Sequence, residues 1–101
     1  GVVSAHADAY AQSFNAGYAV DAPVTTQIAD GMACRTPEPA ALELISIGVD
    51  RIVTVTDAEV AAAMRMMYEC AHNVCEGAGA AALAAAVKEF FGSSQLSQFM
   101  D

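Results

Sequence analysis

A β-branched run that turns into a helix within two residues constrains the fold of this chain more than any other feature. Arg51-Ile52-Val53-Thr54-Val55 is short and strand-forming, as a buried strand is. Thr56 and Glu59 follow at capping-box spacing, while Val55 and Val60 flank them at the spacing of a hydrophobic staple. The pattern predicts a strand, a sharp boundary and a helix that begins at Asp57. Along that helix Val60, Met64, Met67 and Ala71 fall on one face at offsets of four, seven and eleven, with Arg65 and Glu69 opposite. An amphipathic helix fed directly by a strand makes the expected class α/β.

The rest of the chain adds helices around that unit. Gly1-Val2-Val3-Ser4 reads as the tail of a strand, with Ser4 or Asp8 placed to cap a helix over residues 7–16. Gly17 supplies the left-handed conformation that ends it, and Tyr18 to Val20 extends. Asp21 to Thr36 keeps no period and reads as loop. Pro37 and Pro39 suit the first turn of a helix carrying Leu42, Leu44, Ile45 and Ile47, which Gly48 stops. A last helix runs from Glu76 to Phe91, and residues 92–101 form a polar tail. The expectation is about four helices around a small sheet, in one domain over residues 1–101, a length that buries one core. Alanine supplies 23 of the 101 residues, so runs such as Ala61-Ala62-Ala63 and Ala80-Ala81-Ala82 predict closely packed helices over a thin core.

A formal charge of −8 repels phosphate backbones, which excludes nucleic acid as a partner. No apolar run approaches the roughly 20 residues of a membrane-spanning helix, and no basic region leads into an apolar one at the N-terminus. Cys34, Cys70 and Cys75 are odd in number and lack CxxC spacing, as reduced thiols in a cytoplasm are.

Few residues point to chemistry by themselves. Cys70, His72 and Cys75 are zinc-binding types, but on a continuing helix Cys70 and His72 point about 200° apart, so no metal is expected there. Glu76-Gly77-Ala78-Gly79-Ala80 opens a helix where backbone N–H groups favour an anion. Glu76 opposes that, and small residues there also serve close packing. Lys88, the one lysine, sits late in its helix, a position that suits a solvated side chain. His6 and His72 lie far apart with no nucleophile-elbow pattern nearby.

Taken in order, several segments resemble the later catalytic-domain region of threonine dehydratases and serine racemases, pyridoxal phosphate enzymes of fold type II. Gly1-Val2-Val3-Ser4 with Ala11-Gln12-Ser13-Phe14-Asn15-Ala16-Gly17 is similar to the strand and helix after that family's phosphate loop. Ile28-Ala29-Asp30-Gly31-Met32-Ala33 resembles its ADG segment, Arg51 to Val60 its strand-to-helix step, and Glu76 to Leu83 its glutamate and small-residue helix. The resemblance reaches to about residue 91. It implies that Asp30, Gly31 and Glu76 line a substrate and cofactor pocket, with the glutamate near the pyridine ring. The plain structural roles of the three are a turn aspartate, a turn glycine and a helix-cap glutamate.

The family's Schiff-base lysine, substrate-carboxylate loop and phosphate loop would lie before these residues, and its final strand after them. Val3 and Ala9 stand where some members hold a divalent cation with carboxylates, so no metal is expected at that place either. Three readings follow. The chain is a truncated dehydratase-like segment, inactive alone and without pyridoxal phosphate of its own. Or it is an oligomerisation or interaction module that pairs with a chain supplying the cofactor half. Or it is a small enzyme using Asp30, Glu76 and Cys34. Under the first, apolar faces near Ile52 to Val55, Met64, Met67 and Leu83 lose their cover, which predicts a homo-oligomer.

Overall fold

The computed structural model describes residues 1–92. Two short parallel strands, β1 (Val2–Ser4) and β2 (Val53–Val55), pair with Val2 opposite Val53 and Ser4 opposite Val55. The ladder is extended by the Ala5 amide, which donates to the Val55 carbonyl at 2.7 Å. Parallel strands cannot be joined by a hairpin. The connection here carries α1 (Ala9–Ala16), a 3-10 turn (Asp30–Met32) and α2 (Pro39–Gly48). After β2 come α3 (Asp57–Ala71) and α4 (Gly77–Phe91). The expected α/β fold, four helices about a small sheet, is what forms.

Local chemistry sets the boundaries. At the start of α3 the capping box is complete: Glu59 N–H donates to Thr56 Oγ1 at 3.2 Å, and Thr56 N–H donates to Glu59 Oε1 at 2.9 Å. Val55 and Val60 are both fully buried and share one cluster, as the staple spacing predicts. Gly17 ends α1 in the left-handed region, φ 84°. Pro39 opens α2, and the Glu38 carboxylate accepts from the Ala41 amide at 3.0 Å.

Other expectations shift. Asp8 holds the N-cap position of α1, but its carboxylate accepts from Gln12 Nε2 at 2.9 Å instead of capping. Ser4 closes a turn one step earlier, its hydroxyl accepting from the His6 amide. Tyr18 to Val20 form no strand; the Val20 amide donates to buried Ser13 Oγ at 2.7 Å. Gly48 is the last residue of α2 rather than its stop, and the chain leaves the helix at Val49, which is extended.

The buried face of α3 is Glu59, Val60, Ala62 and Ala63, with Met64 and Met67 half-buried and Ala71 exposed. The expected stripe drifts because α3 meets an alanine-lined partner. Ala63 packs with Ala80, Ala81, Ala84 and Ala85 of α4, and Val60, Met64 and Leu83 complete the same cluster, so the small faces set how closely the two helices approach. α4 also packs on both strands and on the 3-10 turn, while α1 packs on α2. Residues 93–101, most of the expected tail, lie outside the described residues. Among the described residues, no helix is long and apolar enough to cross a membrane.

Candidate functional site

Asp30, Gly31 and Glu76 are far apart in sequence, and the fold brings them to one corner where the 3-10 turn packs on the start of α4. A Cβ built on Gly31 would lie 3.2 Å from Ala78 Cβ and 3.6 Å from Glu76 Oε1. With no side chain at position 31 the turn sits close against Ala78, beside the glutamate carboxylate. Glu76 takes the N-cap position of α4, yet its side chain makes no capping hydrogen bond. A cap would spend the carboxylate on backbone N–H groups; here it is left pointing to the turn.

The approach of the turn depends on Gly77. The Ile28 carbonyl occupies the space a Cβ on Gly77 would need, with its carbon 2.7 Å away. Buried Ala29 and half-buried Met32 fix the turn from below, Met32 packing against the α3–α4 core. Upstream, Thr26 Oγ1 donates to Asp57 Oδ1 at 2.6 Å and the Gln27 amide donates to Asp57 Oδ2 at 2.7 Å. Thr26 Oγ1 also accepts from the Ala29 amide at 3.1 Å, and the Thr25 amide donates to the His6 carbonyl at 2.7 Å. Burial works to raise the Asp57 pKa, but donation from Gln27 and Thr26, with attraction from His6, outweighs it and holds the carboxyl below its ordinary value.

Other sequence candidates lie elsewhere. Cys34 Sγ donates to the Thr36 carbonyl at 3.2 Å. Cys70 is exposed near the end of α3, His72 ends that helix at φ 53°, and Cys75 is half-buried against the core. Val3 lies in β1 and Ala9 is buried at the start of α1. Among the described residues, no group of three or more His, Cys, Asp or Glu is placed to hold a metal ion.

Lys88 departs from its expected solvated state. Its ammonium donates to Glu59 Oε1 at 3.1 Å and to the Thr54 carbonyl at 3.2 Å, tying the end of α4 to the capping box of α3. No helical spacing links residues 29 positions apart, so only the packing of α4 against α3 reveals the pair. The same holds for Asp57 and Gly77, which sequence reading passed over as site determinants. An open cleft of about 500 Å³ lies at the other end of α4, lined by Gly1, Arg51, Ala86, Glu89 and Phe90 among others. It does not include the Asp30–Gly31–Glu76 corner.

The fold and sequence have relatives. The family described as "Pyridoxal-phosphate dependent enzyme" matches residues 1–98. An L-threonine ammonia-lyase of Geobacter sulfurreducens is 38% identical over 85 residues, 84% of this chain and 21% of that protein. A serine racemase of Arabidopsis thaliana is 38% identical over 88 residues, again 84% of this chain and 25% of that protein. Among solved structures, a T.th. threonine deaminase superposes with a TM-score of 0.80 at 32% identity, covering 89% of this chain and 33% of that one. Maize serine racemase gives 0.79 at 33% identity, covering 96% and 30%. The chain thus spans about a fifth to a quarter of the length of these curated relatives. Matched along nearly its whole length and similar in fold to threonine deaminase and serine racemase, the chain belongs to the family of pyridoxal-phosphate-dependent enzymes.

Proposed function

We propose that these residues form one wall of the pocket in a pyridoxal-phosphate-dependent dehydratase that acts on L-threonine or a similar 2-amino-3-hydroxy acid. One observation carries the reading: the Glu76 carboxylate is left out of helix capping and stands open beside Gly31, in a corner shared with Asp30. Relatives named for L-threonine, serine and phenylserine share that substrate class, which supports it.

The residues present do not by themselves fit pyridoxal phosphate. Covalent attachment needs an amine. Lys88 stands twelve residues beyond Glu76 on the same helix, about 18 Å along its axis at 1.5 Å per residue. Its ammonium is also engaged by Glu59 and Thr54. The corner presents two carboxylates, Asp30 and Glu76, which repel a phosphate. In this reading lysine and phosphate cradle come from residues other than these, and residues 1–101 alone bind no pyridoxal phosphate covalently and turn over no threonine or serine. The faces near Ile52 to Val55, Met64, Met67 and Leu83, expected to lack cover, are instead closed within the chain, Val55 being fully buried and Val53, Met64 and Leu83 packed on the core. The chain works in a cytoplasm, and its exposed Leu44, Ile47, Phe90 and Phe91 support a homo-oligomer, with a complementary dehydratase-like chain as the other cover.

A graft tests this. The matching stretch of the Geobacter sulfurreducens L-threonine ammonia-lyase is replaced by residues 1–91, and 2-oxobutanoate formation from threonine is followed. The graft should bind the cofactor and form product, and Glu76→Gln should lower product formation at least tenfold with the cofactor still bound. A graft that folds and binds the cofactor but is indifferent to Glu76→Gln refutes the pocket-wall role. For the chain alone, a Schiff-base absorbance with pyridoxal phosphate that vanishes in Lys88→Ala would refute its dependence on other residues.

A further inference from the structure

We propose that Asp57 is a positioning residue for the Asp30–Gly31 corner, a latch that acts through Thr26 and Gln27 on the segment carrying it. Asp57 is the first residue of α3, and its hydrogen-bond donors Thr26 and Gln27 lie in the loop ahead of the 3-10 turn. Its two carboxylate oxygens take one donor each from the loop, Thr26 Oγ1 at 2.6 Å and the Gln27 amide at 2.7 Å. Thr26 passes the constraint on, since its hydroxyl oxygen also accepts from the Ala29 amide. Beyond Ala29 the path is steric: the Ile28 carbonyl lies against Gly77, and the position of Gly31 against Ala78 and Glu76. One loop is therefore held at both ends, by charge at the start of α3 and by close contact at the start of α4.

Charge-assisted bonds to an ionised acceptor are shorter and stronger than neutral ones, so the latch depends on the charge of Asp57. The charged groups on the surrounding elements are His6, from the turn after β1, whose charge attracts Asp57, and the Glu59–Lys88 pair, from α3 itself and α4. A carboxyl held below its ordinary value contributes its interactions above that value and loses them as pH falls through the lower, folded one. The latch is closed at neutral pH and opens only in acid.

What the corner is for rests on the proposed function; how it is held does not. The test therefore uses the chain itself and reads amide exchange at Met32 and Ala33. Their donations to the Ala29 and Asp30 carbonyls close the 3-10 turn, and no variant removes them. Ala63 and Ala84, in the α3–α4 core, serve as the reference. Asp57→Ala and Thr26→Val should each lower protection of Met32 and Ala33 by roughly ten- to a hundredfold, the scale of the two hydrogen bonds that each removes. Ala63 and Ala84 should keep theirs, and Thr26→Ser, which retains the hydroxyl, should behave as the parent chain. Lowering the pH from about 6 to about 3 should reproduce the loss in the parent and add nothing in Asp57→Ala. Unchanged protection at Met32 and Ala33 overturns the proposal. So does a loss at Ala63 and Ala84 in step with it, which makes Asp57 a general stability residue, and so does Thr26→Ser failing like Thr26→Val. A failed threonine graft with an intact latch would sink the pocket reading and leave the latch standing.

Discussion

In the α3–α4 pair, Ala63 of one helix meets Ala80, Ala81, Ala84 and Ala85 of the other, with Val55 and Val60 buried beside them. The α1–α2 pair instead buries Ala9, Ala11 and Leu42 and leaves Leu44 and Ile47 exposed at 72% and 80%. Small side chains let two backbones approach closely, and Met64, Met66, Leu83 and Val87 pack around that alanine contact. The α1–α2 half has no such interface and is fastened by polar pins. Ser13 holds Val20, the Tyr10 hydroxyl accepts from the Glu38 amide at 3.0 Å, and the Ala22 amide donates to the Arg35 carbonyl at 3.0 Å. One half stabilises itself by packing. The other is shaped by hydrogen bonds, and apolar surface faces outward on both, at Leu44 and Ile47 of α2 and at Phe90 and Phe91 of α4.

The comparison breaks most sharply at Gly77. A methyl there must displace the Ile28 carbonyl, so Gly77→Ala should cost roughly 3 kcal/mol, visible as a lower midpoint in urea. Gly79→Ala, two residues on and clear of any close contact, should be neutral or stabilising by up to about 1 kcal/mol. If the two behave alike, the turn does not press on α4.

A finer test sets one residue from each half against the other. Val60→Ala opens space in the packed half and should cost about 2 kcal/mol. Ser13→Ala removes a pin and should cost about 1 kcal/mol, with faster amide exchange confined to residues 18–20. A larger penalty for Ser13→Ala than for Val60→Ala would reverse the proposed division of labour.

The smallest change in stability belongs to the outward face of α2. Leu44→Ser with Ile47→Ser should move the unfolding midpoint by no more than about 0.5 kcal/mol, since neither side chain is buried. It should still lower the mass measured by light scattering across a dilution series if that face is where copies of the chain meet. An unchanged mass would place any self-association elsewhere.

Sequence by itself determined the elements whose causes are local. The capping box at Thr56 and Glu59, the Val55–Val60 staple, the left-handed Gly17 and the proline-led start of α2 each act within a few residues of backbone, and each appears as read. The order of segments also pointed to Asp30, Gly31 and Glu76. Only tertiary structure decided what depends on residues distant in sequence. It moved the buried face of α3 toward Ala62 and Ala63, because the partner α4 is alanine-lined there. It turned Lys88 inward to Glu59, a partner 29 residues away, and gave the Asp57 carboxylate to a loop that begins some 30 residues earlier. It also made Gly77 irreplaceable by pressing the Ile28 carbonyl onto it. Local patterns report only the energy of neighbouring residues. Contacts closed across long loops depend on how whole elements stack, and no single window of sequence contains that information.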